Sequence, residues 1–370
     1  MEKYFNTAGP CIPAKHYMLP ALDRLPEIRH LVGMERYFVI HAPRQTGKTT
    51  ALKALVREIN AKGDMVALYC TLETLQNAND TDKTNCAIRN LLLDNYGAAF
   101  ESEGNALLQS ASASDFGGSA IAVRSALRYL CRKAGKPLVV FFDEADCLAG
   151  DVLISFLRQL RDGYVNRDEI PFPASIALVG MLDVRDYKAQ IRPDGESLGQ
   201  ISPFNIISED MMLRNFTADE VAALYAQHTE ATGQTFAPGV LEKVMEFSGG
   251  QPWLVNALAR ECVEKIHGFR YVETVTADDV ETAKETIIRR NPIHLDYLYY
   301  MVSSEWVKPI LDAGLRGMLT DEQRNDIRFK FLMGLGFFYE VNGKFEFANP
   351  IYGTYWKSRT SGEKLFTNRN

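Results

Sequence analysis

The stretch Tyr37–Thr50, YFVIHAPRQTGKTT, constrains this chain more than any other. Tyr37, Phe38, Val39 and Ile40 read as a buried strand, and Gly47-Lys48-Thr49 opens a helix that Ala51, Leu52, Ala54, Leu55 and Val56 continue. Strand, turn and helix in that order make a cradle for phosphate, because backbone N–H groups at a helix N-terminus point at an anion and the helix dipole favours it. Gly47 admits a close backbone approach, Lys48 reaches the β and γ oxygens of a triphosphate, and the Thr49 hydroxyl is placed to ligate Mg²⁺. The residues expected to line the nucleotide are Ala42, Pro43, Arg44, Gln45, Thr46, Gly47, Lys48, Thr49 and Thr50. Ala42 stands where the usual pattern has glycine, so that position is expected to keep ordinary backbone angles. Arg44 is read as a phosphate contact, as a brace for Glu144 or as a surface residue.

A phosphate loop needs a metal partner and a group that handles water. Leu138–Asp146, LVVFFDEAD, offers both. Its five leading apolar residues predict a central parallel strand buried on both faces. In an open α/β sheet ligands bind at the carboxyl ends of strands, so Asp143-Glu144 is expected to face Thr49. Asp143, 95 residues after Lys48, is expected to order the metal together with Thr49, and Glu144 to polarise an attacking water. A helix N-terminal acid cap is the structural alternative for the same residues.

Composition narrows the class. Of 370 residues, 46% are hydrophobic and 24% charged, as in ordinary globular chains, and the length predicts two or three domains. The net charge of −6 argues against an all-over basic coat for nucleic acid, though not against a local basic face. No apolar run reaches membrane-spanning length and MEKYFNTAGP lacks a signal-peptide core, so a cytoplasmic protein without membrane partners is expected. The six cysteines are scattered without a Cys-x-x-Cys and read as reduced thiols.

Alternating strand and helix patterns up to about residue 207 predict parallel βαβ units and a five-stranded sheet. The expected strands are Tyr37–Ile40, Met65–Leu72, Leu138–Phe142, Ala174–Gly180 and a short Phe204–Ile207, with residues 1–35 packed across this α/β domain. From 208 to 290 the pattern is helical, with Thr217 and Thr276 each opening a capped helix. Residues 291–358 give three helical stretches, then two extended pieces joined by Asn342-Gly343, a strong hairpin signal. That is the order of a winged helix-turn-helix, followed by a polar tail at 359–370.

With HAPRQTGKTT, VVFFDEAD, the ISPFNI segment, SGGQPWLVNALA and FANPIYGTYW on the page, the chain resembles bacterial and archaeal AAA-type P-loop ATPases at the border with the STAND class, and origin-recognition ATPases. The resemblance spans about residues 4–357. It implies ATP or ADP with Mg²⁺ as ligands, a helical lid whose Gly250-Gln251-Pro252 corner meets the nucleotide, and a C-terminal winged helix. Pro252 is carried over as a nucleotide contact. The nearest match for a sensor arginine is Arg260, eight positions on, which departs from the standard spacing. Asp183 is the polar candidate at the tip of the fourth strand, and Arg185 and Arg192 are candidate arginine fingers.

From Arg289 to Arg369, 12 Lys and Arg stand against 9 Asp and Glu. Arg324, Arg328 and Lys330, with Lys344 in the wing, are candidates for a duplex contact. A protein-contacting or autoinhibitory module is the competing reading. Two functions therefore follow from the sequence. One is a Mg-dependent ATPase used as a conformational switch that repositions the winged helix, with an unknown protein partner and oligomer formation on ATP binding. The other is an ATP-controlled DNA-bound regulator or loader of low turnover. A small-molecule kinase shares the phosphate loop but explains neither the acid pair nor the helical C-terminal part.

Overall fold

The most apolar run in the chain becomes the middle of a sheet. The computed structural model describes residues 3–100, 118–181, 206–290 and 292–367. Within them Leu138–Asp143 (β3) is buried at every position, as are Val39 and Ile40 of Tyr37–His41 (β1). Val66–Thr71 (β2), Ser175–Gly180 (β4) and Ile207–Met212 (β5) complete a parallel sheet in the order β2-β3-β4-β1-β5. Helices Ile28–Gly33 (α1), Lys48–Lys62 (α2), Thr81–Ala99 (α3), Ala122–Ala134 (α4) and Gly150–Val165 (α5) belong to the same unit. Each long helix carries an apolar stripe, such as Val123, Ala126, Leu127 and Leu130 of α4, so burial of that stripe drives its packing. This unit comprises Leu22–Ala42 and Lys48–Leu213.

The fifth strand differs from expectation. It runs from Ile207 to Met212, past the expected Phe204–Ile207, of which Phe204 and Asn205 lie outside the described residues. The reason is physical: β5 pairs only with β1, an edge position, and its sequence ISEDMM is mostly exposed. An edge strand needs no apolar run, and its charges deter pairing with another chain.

A second unit comprises Met1–Ala21, Pro43–Gly47 and Arg214–Asn370. Its helices are Ala218–Thr232 (α6), Val240–Ser248 (α7), Pro252–Arg260 (α8), Ala277–Arg289 (α9), Ile293–Val302 (α10), Lys308–Arg316 (α11), Asp321–Asn325 (α12) and Ile327–Gly334 (α13). The hairpin Phe338–Val341 (β6) and Lys344–Phe347 (β7) is antiparallel across Asn342-Gly343, and Pro350–Thr367 (α14) follows. The capping boxes expected at Thr217 and Thr276 are both formed. Helix α14 runs on into residues whose Ser, Thr and Gly content suggests a loose tail.

Of the N-terminal segment, Met1–Ala21 groups with this helical unit and Leu22–Ala42, with α1, groups with the sheet. Phe5 and Tyr17, each 2% exposed, pack with Tyr225 and His228 of α6. The Gln227 side chain bonds Met18 at both its N–H and its carbonyl, and Trp253 Nε1 donates to the Thr7 carbonyl at 2.9 Å. The segment is too short for its own core, so it buries its aromatics in the helices.

Candidate functional site

The end of β3 and the start of α2 meet at one carboxylate. Asp143 is 1% exposed, and its Oδ2 accepts hydrogen bonds from Thr49 Oγ1 at 2.7 Å and from the Tyr69 hydroxyl at 2.8 Å. Its Oδ1 accepts from the Glu144 backbone N–H at 3.0 Å. Three donors offset the hydration that a buried carboxyl group loses. Burial, and then the charge of Asp143, push the Tyr69 hydroxyl well above the ordinary tyrosine range, so it stays a donor. Sequence reading gave Tyr69 no role. Its only signal is strand parity, since Tyr69 shares a face of β2 with Thr71, which pairs with Asp143.

Lys48 is buried, and its Nζ donates to the Ala42 carbonyl at 2.7 Å across the loop. Ala42 is 1% exposed and keeps a negative φ, as expected. The positive backbone angles fall instead on Gln45, φ 60°, and Gly47, φ 95°. Left-handed non-glycine residues cost about 1 kcal/mol and concentrate where a loop is built for binding. Glu144 is another, with φ 55° and ψ 41°, which turns the chain sharply at the strand tip. Thr46 Oγ1 donates to the Pro43 carbonyl at 2.8 Å and braces the turn from inside. Thr50 is buried on α2.

The tip of β4 is tied to a third acid. Asp146 Oδ2 accepts from the Met181 N–H at 3.0 Å, while its Oδ1 is buried without a hydrogen-bond partner among the described residues. A Cβ at Gly180 would lie 3.1 Å from the Asp146 carboxyl, a tight approach that the acid would have to yield to. Asp183, Arg185 and Arg192 lie outside the described residues.

In the second unit the corner before α8 is held by Gln251. Its Oε1 caps the helix by accepting from Leu254 N–H at 2.6 Å, and its Nε2 faces the Arg44 carbonyl at 3.5 Å. Pro252 is buried at the first helical position, so the polar contact to the loop comes from Gln251. Arg44 is half-buried, and its guanidinium sits 4.2 Å from the Tyr297 ring centroid. Arg260 bonds Thr7 Oγ1 and Glu264, which ties it to the N-terminal segment. The candidate duplex-binding arginines are paired within their own module, Arg324 with Glu340 and Asp321 and Arg328 with Asp326.

Magnesium is a hard cation that keeps several waters and takes one or two protein oxygens plus phosphates. Thr49 and Asp143 fit that demand, both being oxygen donors joined to each other. No group of three or more His, Cys, Asp or Glu among the described residues is arranged to hold a metal. All six cysteines are free thiols, and burial pushes Cys70 and Cys131 up to about 12, which removes them as nucleophiles. No helix among the described residues is long and apolar enough to cross a membrane.

A family model described as an AAA-like domain matches residues 34–357. No curated protein matches. Among solved structures, a Walker-type ATPase of Pyrococcus abyssi is 15% identical, covers 95% of this chain and 99% of its own, and has a TM-score of 0.61. Cdc6p from Pyrobaculum aerophilum is 12% identical over 93% of this chain and 94% of its own, with a TM-score of 0.49. The ORC2 protein of Aeropyrum pernix is 17% identical over 92% and 93%, with a TM-score of 0.45. At this identity the first likeness is one of fold alone, and the other two are too distant in shape to carry an argument.

Proposed function

This chain belongs to the AAA-like domain family, and from that premise we propose that it binds ATP with Mg²⁺ and hydrolyses it as a conformational switch. One observation carries the reading: Thr49 of the phosphate loop and Asp143 of the acid-tipped strand, 94 residues apart in sequence, are hydrogen-bonded at 2.7 Å. Lys48 and the amides of Gly47–Thr50 hold phosphate oxygens. Thr49 and Asp143 would hold the metal, which would neutralise charge on the phosphates when bound. Glu144 takes the proton of the attacking water from its place next to Asp143, at the left-handed turn that ends the strand.

The switch acts through the loop itself. Pro43 and Arg44 touch Gly336 and Tyr297, so a change in loop conformation on phosphate binding is felt directly by α10 and by the turn before β6. The internal ion pairs of Arg324 and Arg328 favour a protein-contacting role for the C-terminal module over a duplex-binding one. The test is calorimetry with Mg-ATP. Binding by the parent protein and its loss in Lys48→Ala are expected; equal affinity in both would refute the assignment.

A further inference from the structure

Arg44 is unusual among the loop residues because its charged group is committed to a ring rather than to an anion. Its Cζ lies 4.2 Å from the Tyr297 centroid, and its Nε is buried with no hydrogen-bond partner among the described residues. The neighbouring loop residue is held as firmly. Gly336 has φ +65°, and a Cβ there would come within 2.3 Å of Pro43 Cγ, so only glycine lets that turn close on the loop. Gln251 faces the Arg44 carbonyl from the corner before α8. His294, one turn before Tyr297 on α10, is driven down to about 4 by burial and by the charge of Arg44. Three separate elements thus converge on two consecutive loop residues.

We propose that Arg44 is a positioning residue shared between Tyr297 and the phosphates of a bound nucleotide, so that α10 reads whether the loop is occupied. This rests on the nucleotide-binding reading above. The physical reason is a competition. A guanidinium over a tyrosine face is a moderate attraction, whereas a guanidinium on a phosphate makes short, charge-assisted, paired hydrogen bonds. The unpartnered Nε–H is a donor that the ring arrangement leaves unused and a phosphate oxygen satisfies. Moving Arg44 to the phosphate removes the ring contact from α10. Coupling of this kind is reciprocal, so whatever Tyr297 contributes to holding Arg44 is subtracted from nucleotide affinity.

The experiment measures Mg-ATP affinity by calorimetry and amide hydrogen exchange of residues 293–302, with and without nucleotide, in four full-length proteins: the parent, Tyr297→Leu, Tyr297→Phe and Arg44→Ala. Tyr297→Leu should bind ATP about 5-fold to 30-fold more tightly, the worth of a partly to fully desolvated cation–ring contact. Its α10 should exchange quickly before nucleotide is added. Tyr297→Phe keeps a ring and should behave as the parent, which separates the ring from the fold of the helix. Arg44→Ala should bind more weakly and lose the effect of ATP on α10 exchange. Equal affinities in the parent and Tyr297→Leu, or an unchanged response of α10 in Arg44→Ala, overturn the inference and leave nucleotide binding standing. No binding in the parent overturns both.

Discussion

His294 makes the C-terminal unit sensitive to acid in a way that can be worked out in advance. It lies in the first turn of α10, and burial, with the nearby charge of Arg44, lowers its folded value to about 4. Its neighbours are the Tyr352 hydroxyl at 3.2 Å from Nε2, the Trp253 ring at 5.2 Å and the Arg44 cation, and none of these is an anion that could pair with an imidazolium. In the unfolded chain the same ring titrates near 6.5. Between the two values the unfolded state binds a proton that the folded state refuses, so stability rises with pH. The contribution is fully present above about pH 6.5 and is lost as pH falls toward 4. At 1.36 kcal/mol per unit the full loss is about 3 kcal/mol, of which about 2 kcal/mol has gone by pH 5. All three tryptophans, Trp253, Trp306 and Trp356, belong to this unit, so their fluorescence follows its unfolding in urea. Measured at pH 7.5, 6 and 5, the parent should lose about 2 kcal/mol more than His294→Gln over that range. Parallel pH dependence in the two proteins would refute the argument, as would an imidazole resonance for His294 titrating near 6.5.

Other expected outcomes follow from single contacts. Glu144→Gln should bind Mg-ATP like the parent and turn it over at least about 100-fold more slowly in a phosphate-release assay; normal turnover removes Glu144 from the chemistry. Tyr69→Phe deletes one of three donors to Asp143 and should cost about 1 to 2 kcal/mol of stability by urea unfolding, with a raised Mg²⁺ requirement for ATP binding. An unchanged Mg²⁺ requirement would mean the hydroxyl is incidental to the metal site. Gly336→Ala should lower the unfolding free energy read from the tryptophan transition in urea by at least about 1 kcal/mol, from strained φ and the clash with Pro43; a neutral result would show that the loop does not rest on that turn. Arg328→Ala should change stability by under about 1 kcal/mol and leave duplex affinity and its salt slope unchanged, since its charge is already paired with Asp326.

What was legible in the sequence was local. Tyr37–Thr50 needs only neighbouring residues to specify strand, turn and helix, and the apolar run before Asp143 needs only its own hydrophobicity to claim the centre of a sheet. The hairpin at Asn342-Gly343 and the caps at Thr217 and Thr276 are equally local, each set by the backbone needs of two or three residues. These suffice for the fold class and for singling out Lys48, Thr49, Asp143 and Glu144 as the proposed site.

The remainder depended on which segments become neighbours. The edge position of β5 explains a strand with no apolar signal, and strand order alone brings Tyr69 to Asp143. The N-terminal aromatics say that they need a core but not which one, and they found it in the helices. Arg44 could have served a phosphate, an acid or water by its chemistry; its place over Tyr297, 253 positions further along the chain, was decided only by tertiary packing. Short-range preferences are written residue by residue, whereas a contact between distant segments has no local energy to betray it.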